Sequence, residues 1–337
     1  MIAAMPLAEL LRQALARRTD LLARLHAEGT DCYRLLHGTA EGAPGLTIDR
    51  YGSLLLMQTF REPVAAAVVD QLAALVQKEL GLDLAVACNH RGAAPPPEFV
   101  AHEPTAAALA EHQCHERGAT FLQRARHRGQ DPWLFLDFRS GRARIEQLSA
   151  GKRVLNLFAY TCGIGIAAVR GGTARVQNVD FAQSALDIGL QNAAANGCAD
   201  ARFVVLKSDC LPVLRQLAGI PVQRRGKHVP FVPIAREPFD LIVLDPPRLA
   251  KTPFGTIDVV HDYQSLFKPA LLALADGGAV LATNHVPNVM ADPWHDALRR
   301  CATKAGRPLR DLEPIAIDSD FPSFDGQPPL KLALARI

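Results

Sequence analysis

The stretch from Arg153 to Gly165, Arg-Val-Leu-Asn-Leu-Phe-Ala-Tyr-Thr-Cys-Gly-Ile-Gly, limits the fold more than any other part of the chain. Its apolar run is short, as in a strand covered on both faces, and it leads into a glycine-containing turn. Ile164 to Arg170 can then be helical, with Gly171-Gly172 closing the helix. A second apolar run, Ala174 to Val179, ends in Asp180. Strand, turn, helix, strand and terminal acid form the first half of an open parallel sheet, in which the acid after the second strand can hold ribose hydroxyls. A dinucleotide would need a Gly-x-Gly-x-x-Gly cradle. Here only Gly163 and Gly165 are available, and Cys162 stands where another glycine would help. The turn therefore suits a nucleoside ligand without phosphate, such as S-adenosylmethionine, or no ligand at all.

A second anchor is Phe239-Asp240-Leu241-Ile242-Val243-Leu244 followed by Asp245-Pro246-Pro247-Arg248. Tandem prolines stop the strand ladder and fix an extended loop. That loop falls at the carboxyl edge of the sheet, where ligands of α/β folds bind. Ser208-Asp209 follows a third strand read over Ala201 to Leu206, and Asn284-His285 follows a fifth read over Ala279 to Thr283.

These residues, with Tyr33-Arg34-Leu35-Leu36-His37-Gly38, Gly42 to Gly52, Phe135-Leu136-Asp137-Phe138-Arg139 and Leu330-Lys331-Leu332, resemble the class I S-adenosylmethionine-dependent methyltransferases of 23S ribosomal RNA. The resemblance covers roughly residues 7 to 337. It is strongest to cytosine carbon-5 enzymes that carry an N-terminal PUA domain and to the guanine nitrogen-7 module of a bifunctional enzyme. It implies a small α+β domain over residues 1–130 and a Rossmann-like methyltransferase domain with a seven-stranded sheet over 131–337. It also implies S-adenosyl-L-methionine held by Asp137, Arg139, Asn156, Phe158, Tyr160, Thr161, Gly163, Asp180, Phe181, Ser208, Asp209 and Asp245. Asp209 would serve the adenine amino group, and Ser208 or Asp209 can also cap a helix. The catalytic set is Asp245, Pro246, Pro247, Asn284 and His285, and no metal is implied.

One departure bears on chemistry. Carbon 5 of cytosine needs a cysteine that first adds to carbon 6. In the cytosine relatives that cysteine follows the fifth strand. Here the stretch is Ala282-Thr283-Asn284-His285, with His285 at the cysteine's position. A base nitrogen has its own lone pair and needs no thiolate, so a guanine nitrogen is the first expectation. Cytosine carbon 5 and a non-catalytic RNA-binding protein that keeps the fold remain as alternatives. Cys162 is read as a packing residue.

The chain has 337 residues, enough for two domains, and is 49% hydrophobic with a net charge of +3. No apolar run is long enough to span a membrane, and Met1 to Pro6 lacks the pattern of a signal peptide. Seven cysteines without a Cys-x-x-Cys pair suggest free thiols in the cytoplasm and no zinc site. Leu7 to His26 is predicted as one amphipathic helix with Arg12, Arg17, Arg18 and Arg24 on its solvated side. The chain starting there leaves no room for a PUA domain. RNA contacts are therefore expected from residues 31–144 or from a partner.

Tyr33 to Phe60 reads as strands, Pro63 to Leu80 as a helix, and 103–130 as polar and irregular. Seven arginines lie between Arg117 and Arg144 against Asp131 and Asp137, a candidate phosphate surface, with Phe121, Trp133 and Phe135 as possible stacking residues. The segment 134–148 is expected to be a short strand and then a helix. A basic insertion from Gly219 to Pro238 carries Arg224, Arg225, Lys227 and His228. Helices over Ala182–Asn196, Asp262–Leu274 and Trp294–Ala305, and strands over Leu312–Ile317 and Leu330–Ala335, complete the reading.

Overall fold

The computed structural model describes residues 5–129, 131–222 and 229–337; Arg224, Arg225, Lys227 and His228 lie outside these. Two units are present: residues 5–136 with Asp318–Gly326, and Asp137–Ile317 with Gln327–Ile337.

The first unit runs α1 (Leu7–Arg17), α2 (Thr19–Ala27), β1 (Cys32–His37), β2 (Leu46–Tyr51), β3 (Leu54–Thr59), α3 (Ala66–Leu80), β4 (Ala85–His90), α4 (Ala106–Leu109), β5 (Glu111–Glu116) and β6 (Ala119–Arg124). Its four-stranded sheet has the order β1-β2-β3-β4, antiparallel except for the parallel pair β3–β4. Apolar faces of α1, α2 and α3 meet the sheet through Leu11, Leu25, Leu36, Met57, Leu72 and Val76.

The single helix expected over Leu7–His26 is two helices. No glycine or proline breaks it. Arg18 sits at the junction, 1% exposed, and donates to Ala14 O at 2.9 Å and to both Glu41 oxygens at 2.7 and 2.8 Å. A buried arginine must be paired, and this pairing overrides local helix preference. The expected solvated basic face is also largely paired: Arg17 binds Glu41, Arg12 binds Glu9, and Arg24 binds Glu28 and Asp318. Arg18 and Arg24 thus tie Asp318–Gly326 into this unit, helped by Asp320, which accepts from Arg34 N at 3.1 Å.

The motif residues of β1 and β2 form further pairs. Arg34 grips Asp49 through two bonds of 2.8 and 2.9 Å, and Arg50 donates to the Tyr33 hydroxyl at 2.7 Å. Residues 103–130 are not irregular: they hold α4 and the β5–β6 hairpin.

A 3-10 turn at Leu136–Phe138, where a short strand was expected, spans the boundary at which the second unit begins. That unit continues with α5 (Arg139–Leu148), β7 (Arg153–Leu157), α6 (Gly163–Arg170), β8 (Arg175–Asp180), α7 (Gln183–Ala195), β9 (Phe203–Lys207), α8 (Cys210–Leu217) and β10 (Phe239–Leu244). Then come β11 (Leu249–Thr252), β12 (Gly255–Asp258), α9 (Gln264–Ala273), β13 (Leu274–Asn284), α10 (Ala291–Lys304), β14 (Asp311–Ile315) and β15 (Lys331–Arg336). The hairpin β11–β12 was not foreseen.

The seven strands are ordered β14-β15-β13-β10-β7-β8-β9, and only β15 runs against the others. Right-handed crossovers moving from β7 toward β9 put α6 and α7 on one face; those moving back through β10 to β13 put α8 and α9 on the other. Side-chain packing follows this: α5, α6 and α7 form one row and α8, α9 and α10 another. Leu155, Leu157, Ile242, Leu244, Val280, Phe267 and Leu271 form part of the core beneath the second row. The chain reverses direction between β7 and β10, so a crevice opens at their carboxyl ends.

Candidate active site

The β7–α6 turn forms the first wall of this crevice. Phe158, Tyr160 and Cys162 have φ of 59°, 48° and 60°, a region that costs a non-glycine residue roughly 1–2 kcal/mol. The surroundings hold them there. Tyr160 N donates to Asp180 Oδ2 at 2.8 Å, Phe158 N to Cys210 Sγ at 3.3 Å, Ala159 N to Val179 O at 3.0 Å and Cys162 N to Ala159 O at 2.8 Å. Such strain gathers where a loop is shaped for a ligand. Gly163 begins α6. Thr161 is buried, and its carbonyl accepts from Asn192 Nδ2 at 3.1 Å.

Two glycines make the turn possible. A Cβ on Gly165 would lie 2.3 Å from Asn178 Oδ1, and one on Gly189 would lie 2.5 Å from Cys162 Sγ. α6 and α7 therefore sit directly on side chains that a methyl group would displace. Cys162 is fully buried against α7, and burial drives its thiol pKa well up, which suits packing and not nucleophilic attack.

Asp180 closes the second wall. Its Oδ1 accepts from Ala182 N at 2.9 Å while Oδ2 holds Tyr160, so one carboxylate fixes both β-strand exits. Burial raises its pKa, and the backbone amides oppose that. The Phe181 amide adds a third backbone bond to this carboxylate. Phe181, the next residue, is 71% exposed, a ring face open at the carboxyl end of β8. Asp209 caps α8 through Oδ1, 2.8 Å from Leu211 N, and Ser208 N bonds to Asp180 O. The cap leaves Oδ2 of Asp209 for another donor.

The third wall is the Asp-Pro-Pro loop after β10. Thr283 Oγ1, on neighbouring β13, donates to Asp245 Oδ1 at 2.5 Å. Burial lifts the Asp245 pKa to about 6; Thr283 pulls it down, nearby Asp137 pushes it up and Arg142 lowers it. Asp137 also raises the pKa of His285, but partial burial dominates there, with Lys331 and Arg248 adding to it, and the net direction is down. Asp137, Asp245 and His285 are thus one electrostatic neighbourhood. Lys331, paired in register with Asn284, donates from Nζ to Val286 O at 2.8 Å. Pro246 is buried and Pro247 half-buried.

Two expected site residues make internal hydrogen bonds. Asn284 is 1% exposed; its Nδ2 donates to Val259 O at 3.0 Å and its Oδ1 accepts from Val286 N at 3.0 Å. Both ends of the amide thus bond backbone inside the protein. Asn156 is also buried and donates to Asn178 Oδ1 at 2.9 Å, and Asn178 in turn bonds Val204 O. This polar ladder stitches β7, β8 and β9 beneath α6, so Asn156 shapes the turn from below. Arg139 is buried at the start of α5.

Sequence reasoning passed over Thr283, Tyr263 and Arg142. Thr283 alternates with Ala282 and Asn284 at the end of β13, and the register Leu244↔Ala282 brings it beside the strand end that carries Asp245. Arg142 lies one helical turn from Arg139, a spacing that could have drawn attention to it. The buried Tyr263 hydroxyl feels Asp245 and is raised by burial first.

The features at the strand ends are a turn without a Gly-x-Gly-x-x-Gly cradle, carboxylates at Asp180 and Asp209 and an exposed ring at Phe181. A family profile described as S-adenosylmethionine-dependent methyltransferase matches residues 33–336. The ribosomal RNA large subunit methyltransferase I of Aeromonas salmonicida is 29% identical over 328 residues, 93% of this chain and 74% of that protein. A ribosomal RNA large subunit methyltransferase of Deinococcus radiodurans is 29% identical over 317 residues, 89% of this chain and 71% of the relative. Among solved structures, a chain described as a methyltransferase complexed with SAH superposes with a TM-score of 0.77 at 22% identity, covering 98% of this chain and 80% of its own. Another, from Agrobacterium tumefaciens, gives 0.61 at 15% identity, with coverage of 91% and 89%. Both support the fold.

Proposed function

Because this chain belongs to the S-adenosylmethionine-dependent methyltransferase family, we propose that it methylates a base nitrogen of large-subunit ribosomal RNA, with guanine nitrogen 7 as the favoured acceptor. The RNA part rests on the relatives, which are named for that substrate.

The nitrogen part rests on the thiols. All seven cysteines are described: six are buried and Cys88 is half-buried. Burial raises the pKa of Cys88 (to about 11), Cys162, Cys198, Cys210 and Cys301; Cys114 is raised first by its hydrogen bond with Cys32 and then by burial. None of the seven lies in the residues directly after β13 or in the Asp-Pro-Pro loop; Cys301, the next in sequence, is inside α10. Carbon-5 chemistry needs an activated thiolate at the base, and the six thiols named here are all shifted away from that character.

S-adenosylmethionine supplies an electrophilic methyl group on a sulfonium. Asp180 would take its ribose hydroxyls, Phe181 its adenine face and Asp209 the adenine amino group. What remains for the protein is to align the acceptor and exclude water. Asp245, ionised above about pH 6, accepts a hydrogen bond from an N–H on the base edge, and Thr283 fixes its orientation. Pro246 and Pro247 keep the loop extended and contribute no competing N–H. His285, its pKa lowered, is neutral at working pH and can pair with the base without adding charge. Guanine nitrogen 7 carries no proton, so no general base is required.

Transfer of tritium from labelled S-adenosylmethionine to RNA from cells lacking the protein tests this reading. Label in large-subunit RNA, and none in small-subunit or transfer RNA, is expected. Label only in another RNA, or none despite cofactor binding, overturns it.

A further inference from the structure

The arginines between Arg117 and Arg144 do not make one surface. Arg139 and Arg142 are buried in α5. Arg117 pairs with Glu28, Arg124 with Glu111 and Arg144 with Glu313. Arg126 and Arg128 are exposed without a carboxylate partner among the described residues.

The first unit brings other cations to these two. β3 and β4 run parallel and end together at Thr59 and His90. Phe60 and Arg61 follow β3, and Arg91 follows β4 with its N–H on Thr59 O at 2.7 Å. Arg126 is clamped to the same edge: Nε donates to Asn89 Oδ1 at 2.9 Å, and a terminal nitrogen donates to Cys88 O at 3.2 Å. Asn89 returns a bond to Ala125 O at 2.7 Å. Arg128 lies two residues further on. Arg61 is exposed and also has no carboxylate partner among the described residues. Against these four arginines stand Asp131, 3.5 Å from Arg91, and Glu62 beside Arg61 in sequence.

An aromatic ring sits in this patch. Phe60 is 47% exposed, and the Arg91 guanidinium lies 5.9 Å from its centroid. The Phe60 N–H bonds to Gly45 O, so the backbone is anchored without use of the ring. The half-exposed ring beside Arg91 is not part of the core cluster of this unit. Such a ring among arginines is the combination by which proteins hold unpaired nucleotides: cations along the phosphates and a flat ring for one base.

We propose that this edge of the first unit binds an unpaired segment of RNA, with phosphates on Arg61, Arg126 and Arg128 and one base stacked on Phe60. This rests on the reading that RNA is the substrate. The patch is absent from the sequence as a cluster; three separate chain segments build it.

The test uses the full chain, fluorescence anisotropy and a labelled oligouridine of about 12 nucleotides, within the usual span of a single-strand site. Each phosphate contact contributes about 0.7 to the slope of log affinity against log salt, so Arg61→Ala with Arg128→Ala should lower the slope by about 1.4 and affinity at 0.1 M salt by about 25-fold. Phe60→Ala should weaken binding about 5- to 100-fold and leave the slope unchanged. Cofactor affinity by calorimetry should match wild type in both variants, which reports an intact fold. A double variant with wild-type affinity and slope overturns the proposal. So does an unchanged RNA isotherm with lost affinity for polyglutamate, which would mark a protein-docking edge. In either case ribosomal RNA methylation by wild type leaves the functional reading standing, and its absence from every RNA tested removes that reading instead.

Discussion

Thr283→Val isolates the electrostatics of the acceptor pocket. The side chains match in shape, position 283 is fully buried on a strand, and the change deletes only the donor held 2.5 Å from Asp245. A hydrogen bond to a charged group contributes about 1.5–3 kcal/mol. At 1.36 kcal/mol per pKa unit, its loss should lift Asp245 by about 1–2 units. The starting value of about 6 would move to roughly 7–8. If the ionised carboxylate aligns the base, the acid limb of kcat/KM moves by the same amount. At pH 7 the variant would then fall to roughly a half to a tenth of wild-type activity, and the two profiles would converge by about pH 9. Steady-state methyl transfer from pH 5 to 9 reads this directly. An acid limb that does not move would refute the role given to Asp245.

Asp245→Asn should trade activity for stability. The folded carboxyl keeps its proton to about pH 6, against 3.8 as its ordinary value. Between those values the native state binds more protons than the unfolded one, so stability is fully present below pH 3.8 and is lost as pH rises through 6; the loss is about 3 kcal/mol by pH 7. Urea unfolding should find the asparagine variant more stable at pH 7 by up to that amount and indistinguishable at pH 4; a variant less stable at pH 7 would contradict the sign. Gly165→Ala should cost about 1–3 kcal/mol through the forced shift of Asn178, measured by the same method, with an unchanged midpoint counting against it. Asp180→Asn should weaken S-adenosylmethionine binding in calorimetry; equal affinity would remove Asp180 from the cofactor site. His285→Ala should lower kcat and leave cofactor affinity alone, and full turnover would take His285 out of the pocket.

The sheet was legible because its parallel strands are short apolar runs bounded by Gly, Asp and Pro, and the positions of Asp180, Asp209 and Asp245 at strand ends follow from that. Which way an interior polar side chain faces was not legible. Parallel strands are buried on both faces and carry no alternation to read, so the cross-strand bond of Asn156 and the loop-tying bond of Asn284 were not foreseen. The break at Arg18 was invisible because its cause, Glu41, lies 23 residues away. The arginine-rich stretch misled for the same reason: neighbours in sequence were divided between burial, ion pairs and an edge shared with Arg61 and Arg91.

The most direct test of the central claim is mass spectrometry of nucleosides from large-subunit RNA methylated by the pure protein. The account predicts 7-methylguanosine. A product of 5-methylcytidine would contradict it, and would mean that one of the cysteines buried here reaches the base.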